Sequence, residues 1–287
     1  MRVISIISSK GGVGKTTTTA NLGGLLAEAG FRTLLIDLDI QPTLSSYYPL
    51  AHDAPGGIYE LIALNITQPE QIISSTTIEG LDLITSNDSL GQLPQLLHGA
   101  PDGRFRLHHL LGQLPDYDVI LIDTQGARSI VLEAAVVASD HALSPITSEL
   151  LSAREFIRGT VGLLDDLEPL TRYTALDLPR ISLMLNRLDY TRDAQNVANT
   201  LRDLYDDPDG RVTILDSALR NLTAFRQASA VGQPIHRFEP RKPYRDRVAP
   251  AGADQIIDVA SELNPAWAPA LTGLQATLQA QGGRHEH

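Results

Sequence analysis

The sequence predicts an α/β fold, a doubly wound and mostly parallel sheet flanked by helices on both faces. Two observations carry this. Seven short β-branched or aliphatic runs recur: "RVISII" (2–7), "RTLLID" (32–37), "GLDLIT" (80–85), "YDVILID" (117–123), "HALSPI" (141–146), "RISLMLN" (180–186) and "RVTILD" (211–216). Several are apolar at consecutive rather than alternate positions, the pattern of strands covered on both faces. Helical patterns separate them, at 15–29, 149–168, 191–205 and 219–230. Such alternation predicts right-handed crossovers, with ligands gathered outside the carboxyl ends of the strands.

Taken in order, "RVISII" opens the sheet and a glycine-rich loop leads into the helix over 15–29, which stops at Gly30. The strands over 32–37 and 117–123 both end on an aspartate, Asp37 and Asp123. Residues 86–115, rich in Gly, Pro, Leu and Gln, and the Pro-rich stretch 233–250 read as decoration. No break in composition marks a second domain. Residues 1–264 therefore read as one domain and 265–287 as a C-terminal tail, with a short helix and a mobile end after Trp267.

Composition narrows the function. The 287 residues are 43% hydrophobic, ample for a buried core. No apolar run reaches the roughly 18–20 residues of a membrane span, and Met1 leads directly into the first strand without a signal-peptide pattern, so a cytoplasmic location is expected. The absence of cysteine fits a reducing compartment and excludes a thiolate-held iron–sulfur cluster or zinc ribbon. The eight histidines show no metal-ligand spacing. The net charge of −11 argues against a general nucleic-acid binder, but residues 180–247 carry twelve Arg/Lys against nine Asp/Glu. Of 23 basic residues only Lys10, Lys15 and Lys242 are lysine, so two of the three fall in one short loop that calls for a compact ammonium.

That loop reads "SSKGGVGKTTTTAN" (8–21). Gly11, Gly12, Val13 and Gly14 let the backbone wrap closely and point its N–H groups inward, ahead of a helix that begins Lys15-Thr16. This is a nucleotide-phosphate cradle. Lys15 is placed for the β- and γ-phosphates, Thr16 for Mg²⁺ and Thr17 for the α-phosphate. The chain departs from the usual G-x-x-x-x-G-K-[ST] pattern by placing Ser9 at the first glycine and adding Lys10.

"KGGVGKTT" resembles the deviant phosphate loop of the ParA/MinD ATPases, most like the ParA/Soj-type partitioning proteins, with Lys10 at the position of their signature lysine. The resemblance implies a P-loop ATPase using ATP and Mg²⁺, in which Lys10 reaches the phosphates held by the other subunit of a nucleotide-sandwiched homodimer. It implies that Asp123 holds Mg²⁺ through a water and that Asp37 organises the metal's outer shell. It further implies that Asp39 positions the attacking water and that the Gly126 N–H meets the γ-phosphate. Lys10, Lys15 and Asp39 are thus the expected catalytic set. The family's switch loops commonly read D-x-D-P-Q-G-N and D-x-P-P, whereas this chain has Asp39-Ile40-Gln41-Pro42 and Asp123-Thr124-Gln125-Gly126. Slow hydrolysis without a partner is expected, because the water is incompletely aligned. Asn186, ending "LMLN", resembles the family's adenine-contacting asparagine, and "LDSALRNLTAFRQASAVGQPI" (215–235) resembles its adenine wall.

The run "HRFEPRKPYRDR" (236–247) supplies Arg237, Arg241, Lys242, Arg245 and Arg247, and Pro240 and Pro243 favour an extended basic loop. Arg187, Arg192, Arg220 and Arg226 extend that surface. By resemblance, an ATP-bound dimer binds nucleoid DNA without sequence preference, and a ParB-like centromere-binding protein stimulates hydrolysis. The alternative is a MinD-like spatial regulator acting on a membrane or a protein complex. It lacks support here, since the sequence after Trp267 has almost no basic residues for an amphipathic anchor.

Overall fold

A computed structural model describes residues 1–149, 156–172, 174, 176–189, 191–204, 210–242 and 250–282. All seven predicted strands form: β1 (Arg2–Ile6), β2 (Thr33–Asp37), β5 (Leu81–Ile84), β6 (Val119–Asp123), β7 (His141–Thr147), β8 (Arg180–Leu188) and β9 (Val212–Arg220). Two more, β3 (Leu50–His52) and β4 (Ser74–Thr76), add an antiparallel edge. At three residues each they are too short to show a period. The sheet order is β3-β4-β5-β2-β6-β1-β7-β8-β9, parallel from β5 onward.

The consecutive apolar runs are explained by packing on both faces. On β2, Leu35 enters one core with Ile4, Ile6 and Leu121, while Leu34 and Ile36 enter the other with Val3, Ile120 and Ile122. The first core is covered by α1 (Lys15–Glu28), α9 (Thr223–Ala230), α10 (Ile235–Phe238) and α11 (Gly252–Leu263). The second lies under α2 (Ile58–Leu64), α3 (Pro69–Ile72), α4 (Leu93–Gly99), α5 (Gly103–Leu111) and α6 (Ile130–Val137). A third cluster joins β7 and β8 to α7 (Gly162–Thr171) and α8 (Arg192–Leu204).

Several expectations are corrected. Residues 86–115 are not decoration: Leu93, Leu97, Leu107, Leu110 and Leu111 of α4 and α5 complete the second core. The helix read over 219–230 begins only at Thr223, because β9 continues along β8 as far as the Leu188–Arg220 pair. A π-helical turn, Ile157–Val161, precedes α7, and residues 150–155 of the expected helix 149–168 lie outside the described residues. After residue 264, a 3-10 turn (Pro265–Trp267) and α12 (Ala268–Gly282) carry Trp267 and Leu271 into the first core. Among the described residues no helix is long and apolar enough to cross a membrane.

β1 and β6 are neighbours, yet the chain after β1 runs to β2 and the chain after β6 runs to β7, so the two connections leave in opposite directions at the centre of the sheet. This is where doubly wound sheets open a crevice.

Candidate functional site

Register brings the acidic strand ends together. Ile6 of β1 and Asp37 of β2 both lie beside Asp123 of β6. Above them the loop 8–14 turns into α1, and Gly14 takes a left-handed φ of 94° that a side chain rarely adopts. No side chain caps this helix, so its first N–H groups remain directed at the loop.

The two lysines of the loop occupy different environments. Lys15 is 7% exposed and donates to the Lys10 carbonyl at 3.4 Å. Burial lowers its pKa, an effect opposed by the charges of Asp123 and Asp39. The Lys10 side chain is 36% exposed and lies 3.9 Å from Glu149 Oε2.

Thr16 donates its hydroxyl to Asp123 Oδ2 at 2.6 Å. Asp123 is fully buried, and desolvation pushes its pKa up to about 7 against that hydrogen bond. A hydroxyl and a buried carboxylate in contact form a hard-oxygen pair that suits Mg²⁺. Asp37, also buried, is raised to about 6 for the same reason. Both its oxygens are engaged: Oδ2 accepts from the Ser45 N–H and hydroxyl at 2.8 Å, and Oδ1 from the Asp39 N–H at 3.1 Å. It organises the loop after β2 directly. Asp39 is half-buried, and its Oδ1 accepts the Gln41 N–H at 3.0 Å.

Gly126 packs against the phosphate loop. A Cβ there would lie 2.7 Å from the N and Cα of Gly11. Ser9 in turn fills the space that a side chain at Gly159 on the π-helical turn would need. Asn186 donates its amide to the Val13 carbonyl at 2.7 Å, and a Cβ on Gly14 would strike it. Beside it opens a cavity of about 420 Å³, within the size of small-ligand sites. It is lined by Gly14, Thr17, Asn186, Leu222 and Phe225, with Arg187, Arg220 and Arg226 around them. Loop amides, lysine, hydroxyl, carboxylates and an adjoining half-apolar cavity together fit a nucleotide and its metal.

The basic run is rearranged by the fold. Residues 236–238 belong to α10 rather than to an extended loop. Arg237 pairs with Glu28 at the end of α1, and the fully buried His236 places Nε2 3.1 Å from the same carboxylate. Arg241 and Lys242 are half-exposed, whereas Arg245 and Arg247 lie outside the described residues. Ser45 and Ser86 bond around Asp37 and Asp39 but give no sequence signal, since isolated serines in polar segments form no pattern.

Residues 1–172 match the family model described as an AAA domain. The sporulation initiation inhibitor protein Soj of Bacillus subtilis (strain 168) is 27% identical over 265 residues, covering 91% of this chain and 98% of Soj. A putative plasmid partition protein from Borrelia burgdorferi B31, solved bound to AMPPNP, is 27% identical with a TM-score of 0.62, over 81% of this chain and 90% of that one. A cobyrinic acid a,c-diamide synthase from Mycobacterium smegmatis, solved with an ATP analogue and magnesium, is 26% identical with a TM-score of 0.64, over 80% and 93%. With a family model matched over more than half its length, this chain belongs to the AAA domain family of ParA/MinD-type P-loop ATPases.

Proposed function

We propose that the chain is a ParA-type DNA-partitioning ATPase whose active site is completed by a second copy of itself. The observation that carries this reading is the contrast between the two loop lysines, Lys15 buried against the loop's own backbone and Lys10 half-exposed at the protein's surface. An inward lysine serves the phosphates of its own loop. In this reading the half-exposed Lys10 exchanges its Glu149 neighbour for phosphates held by a facing protomer.

In this reading the N–H groups of residues 11–17 and Lys15 hold the ATP phosphates, Thr16 and Asp123 hold Mg²⁺, and Asn186 with Phe225 borders the base. Mg²⁺ held by Thr16 and Asp123 would supply charge neutralisation to the ATP phosphates. Asp39 orients the attacking water, Asp37 fixes the loop that carries Asp39, and Gly126 brings the second switch loop against the phosphate loop. Hydrolysis is slow alone and is stimulated by a ParB-like centromere-binding partner. Arg187, Arg192 and Arg226 are exposed and join Arg241 and Lys242 as the DNA-binding surface, doubled in the dimer. Arg237 contributes less, because Glu28 already neutralises it. A membrane-acting MinD-like role draws no support from α12, whose residues 268–282 include no lysine or arginine.

The test is retention of random-sequence DNA with ATP against ADP. Retention requires ATP and weakens steeply with salt. Lys10→Ala abolishes it while nucleotide binding by the monomer persists. ATP-dependent dimerisation of Lys10→Ala at wild-type nucleotide concentrations would overturn the assignment.

A further inference from the structure

A carboxylate on a loop aims reliably only if the loop backbone is fixed. Residues 38–46 carry no helix or strand. Two serines fasten them. Ser45 donates its N–H and its hydroxyl to Asp37 Oδ2, both at 2.8 Å. Ser86, just beyond the end of β5, grips the same loop at two points. Its N–H donates to Ser45 Oγ at 2.8 Å, and its hydroxyl donates to the Asp39 carbonyl at 2.6 Å.

The Asp39 backbone is therefore held from both sides. Its N–H is taken by Asp37 Oδ1 at 3.1 Å, and its carbonyl by Ser86. Both anchors are rigid, because Asp37 ends β2 and Ser86 follows β5, and these strands pair through Ile36 and Ile84. The Asp39 carboxylate lies within electrostatic reach of Lys15 in the phosphate loop, and its Oδ1 accepts the Gln41 N–H at 3.0 Å. Ser86 itself belongs to neither the phosphate loop nor the two switch motifs.

We infer that Ser86 is a positioning residue for ATP hydrolysis, clamping the Asp39 carbonyl so that its carboxylate points at the attacking water. The inference rests on the reading of Asp39 given above. Ser86→Ala is a selective cut, since it deletes the hydroxyl and leaves the N–H bond to Ser45.

Single-turnover hydrolysis and ATP affinity are measured for the wild type, Asp39→Ala, Ser86→Ala and Ser86→Thr. Ser86→Ala lowers the hydrolysis rate about tenfold while ATP affinity stays within about twofold. Ser86→Thr, which keeps a hydroxyl, recovers most of the rate. A wild-type rate in Ser86→Ala, a parallel loss of ATP affinity, or failure of Ser86→Thr to recover the rate overturns the inference. The arms separate the two levels of argument. Wild-type turnover by Asp39→Ala defeats the reading of Asp39 and the inference with it. Loss of turnover in Asp39→Ala but not in Ser86→Ala defeats the inference alone.

Discussion

Gly126→Ala tests the contact between the second switch loop and the phosphate loop. The added Cβ lies 2.7 Å from the N and Cα of Gly11 and 3.0 Å from the carbonyl carbon of Lys10. All three are backbone atoms, so no rotamer change relieves the clash. Ordinary contact begins near 3.4 Å, so the two loops must part by about 0.7 Å. Overpacking of this kind costs about 1–3 kcal/mol. The same shift moves residues 124–126 relative to the phosphate loop. Misplacement by about 1 Å can cost on the order of a hundredfold in rate, so single-turnover hydrolysis should fall roughly ten- to a hundredfold. The assay pairs that rate with the thermal midpoint. Gly11→Ala is the internal control, because a Cβ there meets nothing within 4 Å and the midpoint should not move. A Gly126→Ala protein with the wild-type midpoint and rate would refute the reasoning.

Further outcomes follow from the same geometry. Gly14→Ala forces a side chain into a φ of 94° and against the Asn186 amide, so it should destabilise by at least about 1–2 kcal/mol and abolish nucleotide binding; unchanged ATP affinity would count against the cradle. Burial raises Asp123 to about 7 and Asp37 to about 6, so their share of stability is complete below the unfolded value of 3.8 and is lost as pH rises through the folded values. In protein free of nucleotide and magnesium, Asp123→Asn should therefore flatten the change in thermal midpoint between about pH 4 and 7, and an unaltered profile would contradict the burial argument. Burial pushes the Glu28 carboxyl up, but His236 and Arg237 outweigh it and hold the pKa below its ordinary 4.5. That stability is present above 4.5 and lost as the pH falls through the lowered value. Glu28→Gln should cost about 1–3 kcal/mol at neutral pH by leaving His236 and Arg237 without their anion, measured by urea unfolding.

The parts of this fold that were legible share one property: their information is local. Seven strands were readable because a strand covered on both faces needs consecutive apolar residues, and the phosphate loop because its glycines, lysine and threonines are contiguous. Asp37 and Asp123 were readable as candidates because each ends such a run. The helices of 86–115 were missed, since Gly and Pro punctuate them and their burial depends on what packs above. The helical pattern over 219–230 extends past the true helix start at Thr223, because pairing with β8 overrides it through Arg220.

Sequence alone determined the class of sheet, the phosphate loop with its extra lysine, and the aspartates that end two strands. Tertiary structure decided which of these groups meet and what each is free to do. The Asp37–Asp123 pairing comes from strand register, and the Asn186 bond to Val13 joins residues 173 positions apart. The clasp of Ser86 on Asp39, the approach of Gly126 to Gly11 and the pairing of Arg237 with Glu28 likewise join distant segments. Hydrogen bonds and van der Waals contacts act over a few ångströms of space, and only the folded chain brings those positions within reach.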